Sequence, residues 1–461
     1  MGPDRGPVFW TGLVWVTVLA TALIHPAGRP IENLEDGLPE WVRSAPPIPG
    51  PGAAAPSSPA DLSPSPPVRT EIRVGPGEAY RTLEHALADA PPHAIIRVAP
   101  GVYPASPLVV DRPVHLIGEG WPVLDGQGIG SVVLVHADSV RIQGFVVRGT
   151  GKSYTQDHAA ILIEEHRGCE ILENRIEDTF FGIYLARTTD CEVRGNRVRS
   201  NAIREADSGN GIHLWDVERI RVTGNEVSGH RDGIYLEFAR AVILRRNTSE
   251  QNLRYGLHFM FSDDSFFQDN VFRSNGAGVA VMYTRNVVMS GNRFEENWGP
   301  AVYGLLIKDV QDALVEGNLF RQNSVGLFIE GADRVTFRMN HLERNGWALR
   351  ILGSSQDNHF TANNFIENTF DVTTNASRSD NTFDGNHWSA YRGYDLSGDG
   401  FGDVPHRPVR LFSVLIERQP PAVLLLRSFF VDVLEVAERV LPVLTPEALF
   451  DPNPRIRKVI P

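Results

Sequence analysis

Asparagine returns along this chain with a fixed beat. Asn174, Asn196, Asn225, Asn247, Asn270, Asn292, Asn318, Asn340, Asn363 and Asn386 are spaced 22, 29, 22, 23, 22, 26, 22, 23 and 23 residues apart. Most stand in a short phrase such as Gly195-Asn196-Arg197-Val198 or Gly317-Asn318-Leu319-Phe320. A second column follows about five residues later: Asn201, Asn252, Asn275, Asn297, Asn323, Asn345 and Asn368, with Asp178 and His230 in the remaining slots. A repeat of this length means a solenoid. Each repeat holds two alternating apolar runs, such as Ala313-Leu314-Val315-Glu316 and Gly326-Leu327-Phe328-Ile329. Period-two alternation predicts strands, and runs this short leave no room for a crossover helix. Helical periodicity and a leucine-rich frame are both absent. The expected fold is all-β, a right-handed parallel β-helix whose rungs stack about 4.8 Å apart. Inward asparagines then stack amide on amide, and asparagine tolerates the left-handed turn conformation. The two columns are expected to be structural ladders and not a site.

Four segments are expected. Residues 1–30 carry Arg5 and an apolar run from Val8 to Ile24, a secretory signal peptide or an N-terminal anchor. Residues 31–69 are a Pro-rich linker. Residues 70–390 form the coil, with Tyr80 to Ala90 as an amphipathic helix capping its open end. Residues 391–461 form a Gly/Asp turn and an apolar helical docking tail. A net charge of −12 without a basic run argues against nucleic acid as a partner. Cys169 and Cys191 share an inward column on adjacent rungs. That places them within disulfide range, but a pair of buried thiols is the favoured reading.

Three repeats carry insertions at one edge of the coil, with tips at 152–158, 204–208 and 298–303. On the second strand of each repeat, the residue between the two inward ones faces out. That column reads Leu162, Tyr184, His213, Tyr235, His258, Ala280, Leu306, Phe328, Arg350. Two residues on, the same face carries Trp215, Glu237, Met260 and Met282. Thioether and imidazole together suit Cu(I). The expected copper site is His258, Met260 and Met282 on an exposed sheet, with His213 as a neighbouring relay position. Polysaccharide cleavage by a lyase or hydrolase is the alternative chemistry. Its candidate acids are Asp207, Asp232, Glu237, Asp263 and Asp264, for which a solvated outer face is the better reading.

The turn from Asp395 to Asp403 has part of a calcium-loop spacing, with Asp395, Ser397, Asp399 and Asp403 as oxygen donors. The twelfth position is His406 instead of an acid, so calcium binding is expected to be weak or absent. After Pro420-Pro421, residues 422–440 read as one helical stretch. Its apolar face of Leu424, Leu425, Phe429, Val433, Val436 and Val440 needs a cover.

The stretch His387-Trp388-Ser389-Ala390-Tyr391-Arg392-Gly393-Tyr394-Asp395 resembles the NosD family. So do Gly398-Asp399-Gly400-Phe401-Gly402-Asp403, Arg407-Pro408-Val409, the Leu-Phe-Ser at 411–413, the Leu-Leu-Leu-Arg-Ser at 424–428 and the entry segment Val98-Ala99-Pro100-Gly101-Val102-Tyr103. The resemblance implies a periplasmic maturation factor for the copper-sulfur centre of nitrous-oxide reductase, not an enzyme. Its implied partners are an ABC-type membrane permease with its ATPase, a copper chaperone and the reductase. Its implied cargo is copper or sulfur. The long Pro-rich insert departs from the family and leaves membrane tethering open.

Overall fold

The computed structural model describes residues 70–459 apart from 106, 154, 300, 301, 377, 427 and 441–448. The signal or anchor and the Pro-rich linker, expected at 1–30 and 31–69, lie outside the described residues. The described chain is wound into three parallel sheets of 14, 13 and 12 strands. One turn of the coil shows the order. Glu192–Arg194 lies in the first sheet, Arg197–Arg199 in the second and Asn210–Trp215 in the third, before the chain returns to the first at Arg221–Thr223. Every described pairing between successive rungs is parallel, as in Val193↔Val222 and Leu214↔Leu236. Alternation places Val, Ile, Leu and Phe inside. Phe272, Phe294 and Phe320 stack at 5.6 and 4.7 Å, and Phe337, Phe360 and Phe383 at 4.6 and 4.5 Å. Each such pair adds roughly 0.5–1.5 kcal/mol to the burial itself.

The first asparagine column fills the turn between the first and second sheets. From Asn174 to Asn386 each Nδ2 donates to the Oδ1 of the next rung at 2.9–3.1 Å. It also donates to a backbone carbonyl, as from Asn292 to Phe267 at 3.0 Å. The left-handed residue is not the asparagine but its predecessor: Gly195, Gly291 and Gly317 have φ of 66°, 65° and 62°. This corrects the sequence reading and explains the Gly-Asn phrase, since glycine takes that conformation without steric cost. The amide is thus free to serve the ladder alone. The last rung is closed by Asp451, 65 residues on. Its Oδ2 accepts from Asn386 N, Asn386 Nδ2 and Trp388 Nε1, each at 3.0 Å.

The second column is shorter than expected. Asn252, Asn275, Asn297, Asn323, Asn345 and Asn368 are joined rung to rung, and His230 N donates to Asn252 Oδ1 at 3.2 Å. Asn201 and Asp178 are exposed and bonded to each other at 2.6 Å. The insertions explain this. Chain entering the first insertion and leaving the second delivers the buried hydroxyls of Thr150 and Ser208, which bond Phe180 N at 2.7 Å and His230 Nδ1 at 3.0 Å. Cys169 and Cys191 are buried as free thiols, with Cys169 N donating to Cys191 Sγ at 3.3 Å. The Cys169 thiol beside it, together with burial, pushes the Cys191 thiol up, against the opposing backbone bond.

Helix α1 (Leu83–Asp89) buries Leu83, Ala86 and Leu87 against the first rung, with Thr82 accepting from His85 N as its N-cap. At the other end α2 (Leu411–Arg418) seats Phe412 and Ile416 beside Phe370 of the last third-sheet strand. The stretch 422–440 is not one helix. Pro420–Leu425 is a 3-10 turn, and α3 runs only from Phe429 to Val440. Prolines at a helix start remove no intrahelical bond, because the first N–H groups of a helix have no acceptor within it. The apolar face is open all the same, with Leu424, Phe429 and Val440 at 87, 80 and 70 % exposure.

Candidate metal-binding face on the third sheet

The insertion-side strands of the third sheet are Asn210–Trp215, Asp232–Glu237, Tyr255–Met260, Ala277–Arg285 and Tyr303–Gln311. Their middle outward column, Tyr184, His213, Tyr235, His258, Ala280, is in register as expected. Met260 and Met282 are paired one rung apart at the far end of the same face. A further outward column lies at the strand starts: Asn210, Asp232, Tyr255 and Tyr303. Each precedes a glycine. A Cβ on Gly233 would stand 2.0 Å from the Ser249 Oγ, so the glycine turns its Cα to the interior and its predecessor outward.

These extra side chains cover the middle column. Tyr255 packs on His258 with rings 4.6 Å apart, Tyr235 meets it edge-on at 5.0 Å, and the Tyr303 hydroxyl reaches the Tyr255 hydroxyl at 3.4 Å. His258 is consequently 7 % exposed, not a residue of an exposed sheet. Met260 and Met282 stay half-buried. Beyond them Phe238, Phe261 and Tyr283 stack at 5.5 and 4.9 Å on the outer turn.

Under this cover lies Asp232, completely buried. Its Oδ1 accepts from Arg254 Nε at 2.8 Å and Tyr255 N at 3.2 Å, and its Oδ2 from Arg254 Nη2 at 2.5 Å. Burial alone would raise its carboxyl, but the Arg254 pair, with the charge of Arg231, outweighs that and holds it down at about 2. Arg231 Nη2 donates to Asn210 Oδ1 at 3.0 Å, which turns the amide nitrogen toward His213 Nδ1 at 3.0 Å. His213 Nδ1 is therefore an acceptor, and the ring carries its hydrogen on Nε2. Burial, with Arg231 adding, drives its pKa down to about 3. A neutral ring with its lone pair spent on Asn210 has none to offer a metal. His258 differs. Its Nδ1 faces the Asp232–Arg254 pair, while its Nε2 is buried with no hydrogen-bond partner.

Among the described residues no three His, Cys, Asp or Glu side chains gather as a metal cluster. A site on this face must use thioether sulfur. The acids of the polysaccharide reading are otherwise engaged. Asp207 pairs with Arg204 at 2.9 Å, Asp263 with Arg285 at 3.2 Å and Asp264 with Arg240 at 3.0 Å, while Glu237 accepts from Tyr235 at 3.2 Å. The Asp395 turn is an exposed set of side-chain-to-backbone bonds: Asp395 accepts from Gly398 N and Gly400 N, Asp399 from Phe401 N and Asp403 from Leu396 N.

A probable ABC transporter binding protein NosD of Stutzerimonas stutzeri is 32 % identical over 365 residues, covering 76 % of this chain and 84 % of the relative. Its namesake in Pseudomonas aeruginosa is 34 % identical over 377 residues, covering 78 % and 87 %. The chain belongs to the NosD family. Residues 198–393, which include His213, His258, Met260 and Met282, match the family model described as periplasmic copper-binding protein (NosD). Residues 75–259 match one described as a protein of unknown function, DUF1565. Among solved structures the NosD chain resembles the A-module of a mannuronan C-5 epimerase from Azotobacter vinelandii, with a TM-score of 0.56 at 12 % identity over 67 % of this chain and 93 % of that one. The Dettilon tailspike protein gives 0.50 at 13 % identity over 62 % of each. At such identity the likeness is one of fold.

Proposed function

We propose that this chain is a periplasmic accessory protein, not an enzyme, that holds a cuprous ion in transit to the copper-sulfur centre of nitrous-oxide reductase. It does so beside an ABC-type permease and ATPase. A copper chaperone upstream and the reductase downstream complete the route. The observation that carries this is the unpartnered, buried Nε2 of His258 on the same face as the paired thioethers of Met260 and Met282. One imidazole and two thioethers are soft, neutral donors that favour Cu(I) over the harder divalent ions. Three donors at the mouth of a half-covered face suit an ion that must be released again. His213 is left out of the ligand set, because its Nδ1 is taken by Asn210. The permease contact is assigned to the open face of Leu424, Phe429, Val433 and Val436. No described helix is long and apolar enough to cross a membrane.

Copper competition against a Cu(I) chelator tests the first half. Met260→Ala with Met282→Ala should lose at least tenfold in affinity; equal affinity would remove the site. The permease contact needs point variants, because deleting the tail also removes Asp451 from the end of the ladder. Phe429→Ser with Val433→Ser should abolish co-purification with the membrane subunits, and full recovery would rule the docking role out.

A further inference from the structure

Taking the copper reading of His258 as its starting point, the geometry points to Arg254 and Asp232 as opposed positioning residues that decide whether His258 can bind metal. Arg254 Nη2 lies 3.4 Å from His258 Nδ1 while also holding Asp232 Oδ2 at 2.5 Å. A guanidinium only donates, so in this arrangement Nδ1 accepts and the hydrogen sits on Nε2. That tautomer has no lone pair on the one nitrogen left without a partner. A metal at Nε2 requires the hydrogen on Nδ1 and an acceptor to hold it. Asp232 Oδ2, at 3.9 Å, is beyond hydrogen-bond length with Arg254 in place. If the guanidinium withdraws from Nδ1, the carboxylate can close on it and form a carboxylate–imidazole pair that orients the ring and raises its donor strength. One proton leaves Nε2 for water and one is taken up at Nδ1, so the ring stays neutral throughout. Arg254 is able to withdraw: its side chain is 36 % exposed, and it lies over the Tyr255 ring at 5.0 Å, at the open start of its strand. Arg231 Nε, 3.6 Å from Asp232, keeps a cation beside the buried carboxylate when it does. Arg254 thus holds the empty site in a non-binding tautomer, and Asp232 supplies the binding one.

Arg254→Lys tests this without stripping Asp232 of charge, since the ammonium keeps the ion pair but lacks the planar two-nitrogen fork that fixes Nη2 over Nδ1. Three readouts are needed on the full chain: thermal midpoint, Cu(I) affinity, and the 15N imidazole shifts of His258 without metal. Wild type should show hydrogen on Nε2, and Arg254→Lys should move it toward Nδ1 and tighten Cu(I) binding about tenfold. Asp232→Asn should weaken binding by a similar factor, and Arg254→Lys added to it should not restore affinity. An Nδ1–H tautomer already present in wild type, or unchanged affinity in a folded Arg254→Lys, would overturn the proposal. The parent reading fails differently: His258→Ala would then bind Cu(I) as wild type does. Should Arg254→Lys not fold, Arg254→Gln keeps a neutral amide donor for Asp232 and is followed by the same three readouts.

Discussion

Two sets of buried polar side chains meet in this coil, and they differ in how completely they are satisfied. In the asparagine ladder each amide donates to a carbonyl and to the next amide, and the run is closed by a carboxylate. On the outer face of the third sheet His258 Nε2 is buried with no hydrogen-bond partner, and Arg231 Nε makes only an ion-pair contact with Asp232 at 3.6 Å. A buried donor or acceptor without a partner costs about 1–3 kcal/mol, so a fold does not gather such atoms for its own stability. Residue type does not separate structure from function here. Completion of the hydrogen-bond count separates the Asn174–Asn386 ladder from this face, although single unpartnered atoms such as His230 Nε2 lie elsewhere in the coil.

The largest break in that contrast should come from the ladder. Asn292 accepts from Asn270 N at 3.0 Å and Asn270 Nδ2 at 2.9 Å, and donates to Phe267 O and Asn318 Oδ1, both at 3.0 Å. Asn292→Ala orphans two donors and one carbonyl in a dry interior. The expected loss is on the order of 3–6 kcal/mol, read as a lower urea midpoint. The paired change Met260→Ala with Met282→Ala, which removes half-exposed thioethers, should cost no more than about 1 kcal/mol. Equal losses in the two proteins would show that the ladder and the outer face are not different in kind.

This contrast also sets what the sequence could tell. The ladder was legible because it repeats, and a period survives any ignorance of atomic detail. The same period put His258, Met260 and Met282 on one face. What escaped depends on contacts across rungs and on single departures from alternation. Asp232 and Tyr255 face outward because a glycine follows each, which period two does not anticipate. The tautomer of His213 is decided by Asn210, itself oriented by Arg231 of the next rung. Asn201 has the right interval but falls on an insertion that carries it into solvent. Asp451 carries no periodic mark, although it ends the whole column.

A middle-sized effect per group should appear on acidification, with opposite signs in two places. Burial lowers His213 and His230 to about 3 and His406 to about 4, with Arg231 and Arg410 adding at the first and last. Each folded value lies below the ordinary 6.5 or so. The stability they contribute is complete above that pH and is lost as pH falls toward 3–4. At pH 5 each of the three should have cost about 2 kcal/mol, roughly 6 together. Asp371, on the strand that receives α2, is raised by burial to about 6, with Arg410 and Asn368 only partly opposing. Its contribution is complete below about 3.9 and disappears as pH rises through 6. Amide exchange in α2 should therefore slow from pH 7.5 to 5, after correction for intrinsic rates, while the urea midpoint of the coil falls. Movement of both in the same direction would refute the separation, and Asp371→Asn should remove the α2 response alone.

The smallest effect should be calcium at the Asp395 turn. Calcium takes six to eight oxygens, usually including a bidentate carboxylate from the end of the loop. Here the loop's carboxylates already serve backbone N–H groups of Gly398, Gly400, Phe401 and Leu396. The position where the last acid would stand is His406, whose ring is turned inward onto Trp388 at 5.0 Å. Binding would require breaking several satisfied bonds for an incomplete shell. This turn belongs with the ladder: its carboxylates are engaged by the loop's own backbone. Millimolar calcium should leave the thermal midpoint within error, and Asp399→Ala should change stability by less than about 1 kcal/mol with or without the ion. A micromolar binding isotherm abolished by Asp399→Ala would mean that a satisfied hydrogen-bond count does not mark a structural group, and the contrast between the two regions would lose its basis.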